Sequence, residues 1–105
     1  MKGYEETCFS IISSAGTARS YYIEAINEAE RGNFEQANQL LLEGKEAFND
    51  CHKAHFEMIQ KEANGEKNQI GLLLIHAEDQ LMSAEAFGIL AEKFITLYQE
   101  VNERK

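Results

Sequence analysis

Apolar positions recur at steps of three and four along most of the chain, the spacing of one face of an α-helix. Over residues 4–29, Cys8, Ile11, Ala15, Ala18, Tyr22, Ala25 and Ala29 share one face, while Ser13, Thr17, Ser20, Glu24 and Glu28 cover the other. The inward residues are mostly small, so a second helix axis can approach closely. Gly16 and Arg19 also lie in this segment, and Gly16 reads as a packing contact. Over residues 34–62 the inward series is Phe34, Ala37, Leu41, Gly44, Phe48, Cys51, His55 and Met58, with His52 toward its flank. Arg31-Gly32-Asn33 separates the two helices. Gly32 suits a left-handed C-terminal cap, and Asn33 with Gln36 three residues on has the capping-box pattern. Ala63-Asn64-Gly65-Glu66 carries the Asn-Gly turn signal, and a third helix is expected over residues 68–101.

The third helix carries two apolar series side by side. One is Leu73, His76, Gln80, Ser83, Phe87, Leu90, Phe94, Leu97 and Val101, a coiled-coil-like seam with polar members. The other is Ile70, Leu74, Ala77, Leu81, Ala84, Gly88, Ala91 and Ile95. Glu78, Glu85 and Glu92, with Thr96 close by, fall on the face expected to meet solvent. So wide an apolar arc points to burial on more than one side and hence to a homo-oligomer. The expected fold is all-α, an antiparallel three-helix bundle of spectrin-repeat-like hairpins in one domain spanning residues 1–105.

Composition agrees with that pattern: there is no proline, and only seven glycines interrupt 105 residues. The formal net charge of −8 argues against nucleic acid or an anionic membrane as partner. No run approaches the roughly 18 apolar residues of a membrane span, and the N-terminus has no secretory core, so a cytoplasmic location is expected. Cys8 and Cys51 sit on apolar stripes, form no Cys-x-x-Cys, and read as buried reduced thiols.

The candidate chemistry lies in the third helix. His76 has Asp79 at i+3, Gln80 at i+4 and Ser83 at i+7, one strip able to orient a ring nitrogen. The pattern alone leaves two readings open. His76 is either a reactive imidazole or a buried polar residue that fixes helix register in a non-enzymatic interaction module. A metal site using His52 and His55 with His76 or Asp79 lacks the Glu-x-x-His pairs of di-iron bundles. Hydrolysis by a Ser-His-Asp set lacks a nucleophile elbow.

Four segments resemble the lactose/cellobiose-type enzyme IIA components of the bacterial sugar phosphotransferase system. Ser14-Ala-Gly-Thr-Ala-Arg-Ser20 is similar to that family's Ala-Gly-Asp-Ala-Arg-Ser. Arg31-Gly-Asn-Phe-Glu35 with Gln36 and Ala37 is similar to its Gly-Asp-Phe-x-x-Ala, and Gln60-Lys-Glu-Ala-Asn-Gly-Glu66 to its second turn. The most specific segment is His76-Ala-Glu-Asp-Gln-Leu-Met82, against His-Ala-Gln-Asp-His-Leu-Met. The resemblance implies a homotrimeric phosphocarrier in which His76 accepts a phosphoryl group from phosphorylated HPr and passes it to a cysteine of enzyme IIB. Contact with the membrane-embedded enzyme IIC would run only through enzyme IIB, and the transported sugar would be a β-linked disaccharide of the cellobiose, chitobiose or lactose type. It further implies that Asp79 from each subunit meets at the threefold axis around one divalent cation, magnesium by preference. Three departures stand out, the first being Glu78 in place of a glutamine, on the face expected to meet solvent. Gln80 replaces a histidine, and the helix-two motif Ala-His-x-x-Gln appears as Cys51-His-Lys-Ala-His55, so that His55 is positioned to supply the lost imidazole. Gln80, Ser83 and His55 are therefore the expected supports of His76. Apart from Arg19 the chain shows no obvious cationic clamp, so hydroxyls, amides and partner residues are expected to hold the phosphoryl group.

Overall fold

The computed structural model describes residues 3–67 and 70–105. Three helices form a rod of 58 × 20 × 19 Å. They are α1 (Tyr4–Glu30), α2 (Phe34–Ala63) and α3 (Leu72–Glu103). Helix α1 lies in the middle and packs along both of its neighbours, whereas α2 and α3 touch each other far less. Contacts pair Arg19 with Gln80, Tyr22 with Gly88 and Glu30 with Tyr98, so α1 and α3 run in the same direction. Pairs such as Lys45 with Glu92 and His55 with Glu78 show α2 running the opposite way.

The inward face of α1 is the one its periodicity marks. Cys8, Ile11, Ala15, Ala18, Tyr22, Ala25 and Ala29 are all buried. In α2, Ala37, Leu41, Gly44, Cys51 and Met58 are buried as expected, and Leu40 and Ala54 join them. Both turns close in the same way. Gly32 and Gly65 have positive φ, 87° and 92°, a region open to glycine without a Cβ clash. The N–H of Gly32 donates to the Ala29 carbonyl and that of Asn33 to Glu28, while Gly65 and Glu66 repeat the pattern onto Glu62 and Lys61. Each pair is the reciprocal C-cap that satisfies the last free carbonyls of a helix.

Three expectations change. Asn33 is the N-cap of α2, but its side chain makes no capping bond; the amide Nδ2 instead donates to Glu28 Oε2 at 2.7 Å, across the turn. A carboxylate is a stronger acceptor than the reciprocal box supplies, and it lies within reach because the turn is so short. Helix α3 begins at Leu72, with Gly71 extended as its N-cap, rather than at residue 68; Asn68 and Gln69 lie outside the described residues. Ile70 thus precedes the helix and is 85% exposed, so it does not join the inner series. Glycine is a poor helix former, and the apolar spacing alone carries no sign of that break.

The third change concerns which face of α3 turns inward. The small series is the buried one: Ala77, Leu81, Ala84, Ala91 and Ile95. The seam of larger residues faces outward, with Leu90, Phe94, Leu97 and Val101 between 40% and 52% exposed. Nor are the α3 glutamates all simply solvated. Glu78 is half-buried against His55, and Glu92 pairs with Lys45, because this face borders the loose α2–α3 contact.

Tyr22 shows why small residues are needed inside. A Cβ built on Gly44 of α2 would lie 2.6 Å from its ring, and one on Gly88 of α3 would lie 2.8 Å from it. The ring therefore fits between two glycines on different helices. The cysteines are equally well packed. Cys51 Sγ donates to the Ile11 carbonyl at 3.5 Å, and burial pushes its thiol up to about 11. Burial likewise raises the Cys8 thiol, and the Glu78 carboxylate adds to the rise. Both are free thiols, fully buried, and remain protonated at neutral pH.

Candidate functional site

The strip read from α3 lies on the outward side of the first turns of that helix. His76 is exposed, beside Leu72 and Leu73, with which it lines an open apolar depression of about 510 Å³. Its ring makes no hydrogen bond among the described residues. A histidine that fixed register inside a bundle would be buried and bonded, because an unpaired polar group in a core is costly. His76 is neither. Its exposure leaves both ring nitrogens open to a second molecule.

Asp79 is also exposed, while Gln80 and Ser83 are half-buried. Among the described residues no three His, Cys, Asp or Glu side chains converge as a metal site. A single chain therefore offers one carboxylate at Asp79, too few ligands to hold an ion firmly by itself.

Gln80 reaches the neighbouring helix. Arg19 Nη1 donates to Gln80 Oε1 at 2.6 Å, joining α1 to α3 across the edge of their buried contact. Arg19 is the only cation of α1 and is half-buried. His55 goes elsewhere. Its Nε2 lies 2.6 Å from Glu78 Oε1. Glu78 is two positions on from His76, about 200° around a helix, so the two histidines address different flanks of α3. The group that the structure places at Gln80 is thus the Arg19 guanidinium and not the His55 ring. Sequence spacing could not pair Arg19 with Gln80, since no periodicity relates positions on two helices. The one available signal was that Arg19 is the single cation in a helix whose other charged residues are all acidic.

His52 stays exposed on α2, its ring 6.4 Å from that of Phe48, away from the strip. On the far flank of α1, Ser10, Ser14, Lys53, Glu57, Lys61 and their neighbours line a polar groove of about 810 Å³ between α1 and α2.

Known proteins resemble the chain in both sequence and fold. The family model described as "PTS system, Lactose/Cellobiose specific IIA subunit" matches residues 6–99. The chain is 38% identical to the lichenan-specific phosphotransferase enzyme IIA component of Bacillus subtilis, over 96% of this chain and 92% of that protein. The crystal structure of the cellobiose-specific enzyme IIA from Bacillus anthracis superposes with a TM-score of 0.96 at 40% identity, covering 100% of this chain and 96% of that one. The IIA(chitobiose) of Escherichia coli, solved in complex with HPr, superposes with a TM-score of 0.84 at 26% identity, covering 97% and 99%.

Proposed function

The chain belongs to the lactose/cellobiose-specific IIA subunits of the phosphotransferase system and is a phosphocarrier in sugar transport, and within that role we propose that His76 is the residue that carries the phosphoryl group. The supporting observation is its isolation: an imidazole on an outward face, without a hydrogen bond to its own chain among the described residues, one turn from a half-buried amide that binds a cation. An unprotonated ring nitrogen attacks the phosphorus of the donor. The new N–P bond forms as the donor's bond to phosphorus breaks, and the donor atom keeps that electron pair. The second transfer reverses the roles, with a thiolate forming an S–P bond as the N–P bond of His76 breaks. Catalysis of this kind is mostly positioning and charge stabilisation.

The donor in this reading is phosphorylated HPr, by analogy with the chitobiose IIA solved with HPr. The acceptor is a cysteine of enzyme IIB, which connects the chain to a membrane-embedded enzyme IIC. The sugar is a β-linked disaccharide of the cellobiose, chitobiose or lactose type, and the location is cytoplasmic. No helix among the described residues is long and apolar enough to cross a membrane, in keeping with that place.

We assign the large residues of the outward seam of α3, from Phe87 onward, to the interface of a homotrimer, leaving His76 at the groove between subunits where HPr and enzyme IIB dock. The half-exposed Leu90, Phe94, Leu97 and Val101 supply the apolar surface such an interface buries. Asp79 lies on the same outward side, so a threefold axis along the seam brings three carboxylates together. Such a set suits a hard divalent cation, with magnesium the first choice. The ion's contribution would be to neutralise charges that otherwise repel. Asp79→Leu is expected to remove the ion and keep the trimer, read by metal analysis and light scattering; a monomeric variant would show that the ion holds the assembly.

The decisive experiment incubates the chain with enzyme I, HPr and phosphoenolpyruvate. His76→Gln should keep the helical fold and lose all labelling, while His52→Gln and His55→Gln remain phosphorylatable. The adduct should be acid-labile and alkali-stable, as an N–P bond is. Full labelling of His76→Gln, located elsewhere by mass spectrometry, would return His76 to a structural role.

A further inference from the structure

We propose that Arg19 is the phosphoryl-binding cation of the phosphorylated state and that Gln80 is the residue that positions it, an inference that rests on His76 being the acceptor.

The chain is short of positive charge, with 18 Asp and Glu against 10 Lys and Arg. A phosphoryl group adds a further charge of about −1.5 to −2 at neutral pH. Helices α1 and α3 contain one Lys or Arg each, Arg19 and Lys93. Lys93 is 17 residues beyond His76, roughly 25 Å along the helix at 1.5 Å per residue, and cannot serve it. On α2, Lys45 is occupied by Glu92, and Lys53 and Lys61 line the α1–α2 groove on the far flank of α1. Arg19 remains.

Its surroundings are unusual for a half-buried guanidinium. Among the described residues it forms no ion pair, and its side-chain hydrogen bond runs to a neutral amide. In a chain with so many carboxylates, a partly desolvated cation without a counter-ion is a place prepared for an anion. The helix geometry brings the anion there. His76 and Gln80 are separated by one turn on the same face, about 6 Å between Cβ atoms. A phosphoryl group on the ring of His76 then lies within the span of the Arg19–Gln80 pair.

The pairing also fixes which end of the Gln80 amide is free. Arginine is only a donor, so the amide must meet it with Oε1, as the 2.6 Å contact shows. The Gln80 Nε2 hydrogens are left to point away from Arg19. Gln80 and the remaining guanidinium N–H groups therefore present a surface made only of donors. The Gln80 amide carries no ionisable proton, whereas an imidazole at this position would. The departure at Gln80 thus exchanges a titratable partner for a permanent one.

The test compares Arg19→Met, Arg19→Lys and Gln80→Met with the native chain, each checked for helicity and melting by circular dichroism. Phosphorylation by phospho-HPr is followed in time, and the pH titration of the phosphoryl resonance is followed by ³¹P NMR. Arg19→Met should slow transfer on the order of tenfold to a hundredfold, the effect of losing a hydrogen bond to a charged group. It should also raise the pH midpoint of the phosphorus resonance, because the nearby cation favours the dianion. Arg19→Lys should recover part of both effects. Gln80→Met, which frees the guanidinium without removing it, should give a smaller loss of rate. A purely structural Arg19 would shift the melt and leave the phosphorus midpoint alone. Native rate and midpoint in Arg19→Met, with His76→Gln unlabelled, would overturn the role of Arg19 and leave His76 as acceptor. Labelling of His76→Gln would remove the acceptor reading itself, and this inference with it.

Discussion

Helix α3 carries two apolar faces that differ in everything except their spacing. The face turned toward α1 is built mostly from small residues, Ala77, Ala84, Gly88 and Ala91, and is buried. The face turned outward is built from Leu73, Phe87, Leu90, Phe94, Leu97 and Val101, and its last four members stay about half exposed. Larger side chains would gain more from burial, so hydrophobicity alone predicts the opposite arrangement. Proximity decides it. Helix α1 presents Ala15, Ala18, Ala25 and Ala29, and two alanine-rich faces can bring their axes close enough to exclude water between them. The small face then joins α3 to its own chain, and the large one is left for another.

That contrast can be broken from either side. The largest effect is expected at the inner face. Ala84→Glu places an unpaired carboxylate in a fully buried position and should destabilise the bundle by about 3–5 kcal/mol, seen as loss of the cooperative thermal transition near room temperature. On the outer face, Phe94→Glu combined with Leu97→Glu should leave a folded, helical chain that sediments as a monomer. A double variant that unfolds would mean that the outer seam belongs to the bundle after all. Gly88→Ala should be milder, about 1–3 kcal/mol, because the Tyr22 ring must shift to admit one methyl group. Gly16 is not the packing contact expected of it, since an added Cβ meets nothing within 4 Å, and the same substitution there should be neutral or slightly stabilising. The smallest effect concerns pH. Cys51 is held protonated by burial up to about 11, while in the unfolded chain it ionises near its ordinary value of 9.0. The unfolded state then binds fewer protons, so stability is complete below pH 9 and falls as pH rises toward 11. Roughly 1 kcal/mol should be lost by pH 10, and Cys51→Ala should remove that part of the slope in denaturant titrations.

Periodicity made α1 legible, and the seven residues it marks as inward are all buried. The two turns were legible because glycine at Gly32 and Gly65 meets a conformational demand that few other residues meet. Helix α3 was ambiguous because both of its series satisfy the same spacing, and only the size of the residues on α1 chooses between them. His76, Asp79, Gln80 and Ser83 could be grouped from their positions on one helix. The partners that cross between helices, Arg19 with Gln80 and His55 with Glu78, depend on how far one helix is displaced along another. No pattern within a helix encodes that displacement.

A single ring sets it. Tyr22 occupies a notch at Gly44 on one side and at Gly88 on the other, so neither neighbour can slide along α1 without forcing an added atom through the ring. A slip of one turn, about 5.4 Å, would part Arg19 from Gln80. Tyr22 lies three residues beyond Arg19, and Gly88 eight beyond Gln80, so the notch works like the detent of a slide rule. It holds two scales in alignment at a mark some distance from where the reading is taken. The ring touches no reacting atom, yet widening either glycine should misalign the donors around His76 before it unfolds the chain.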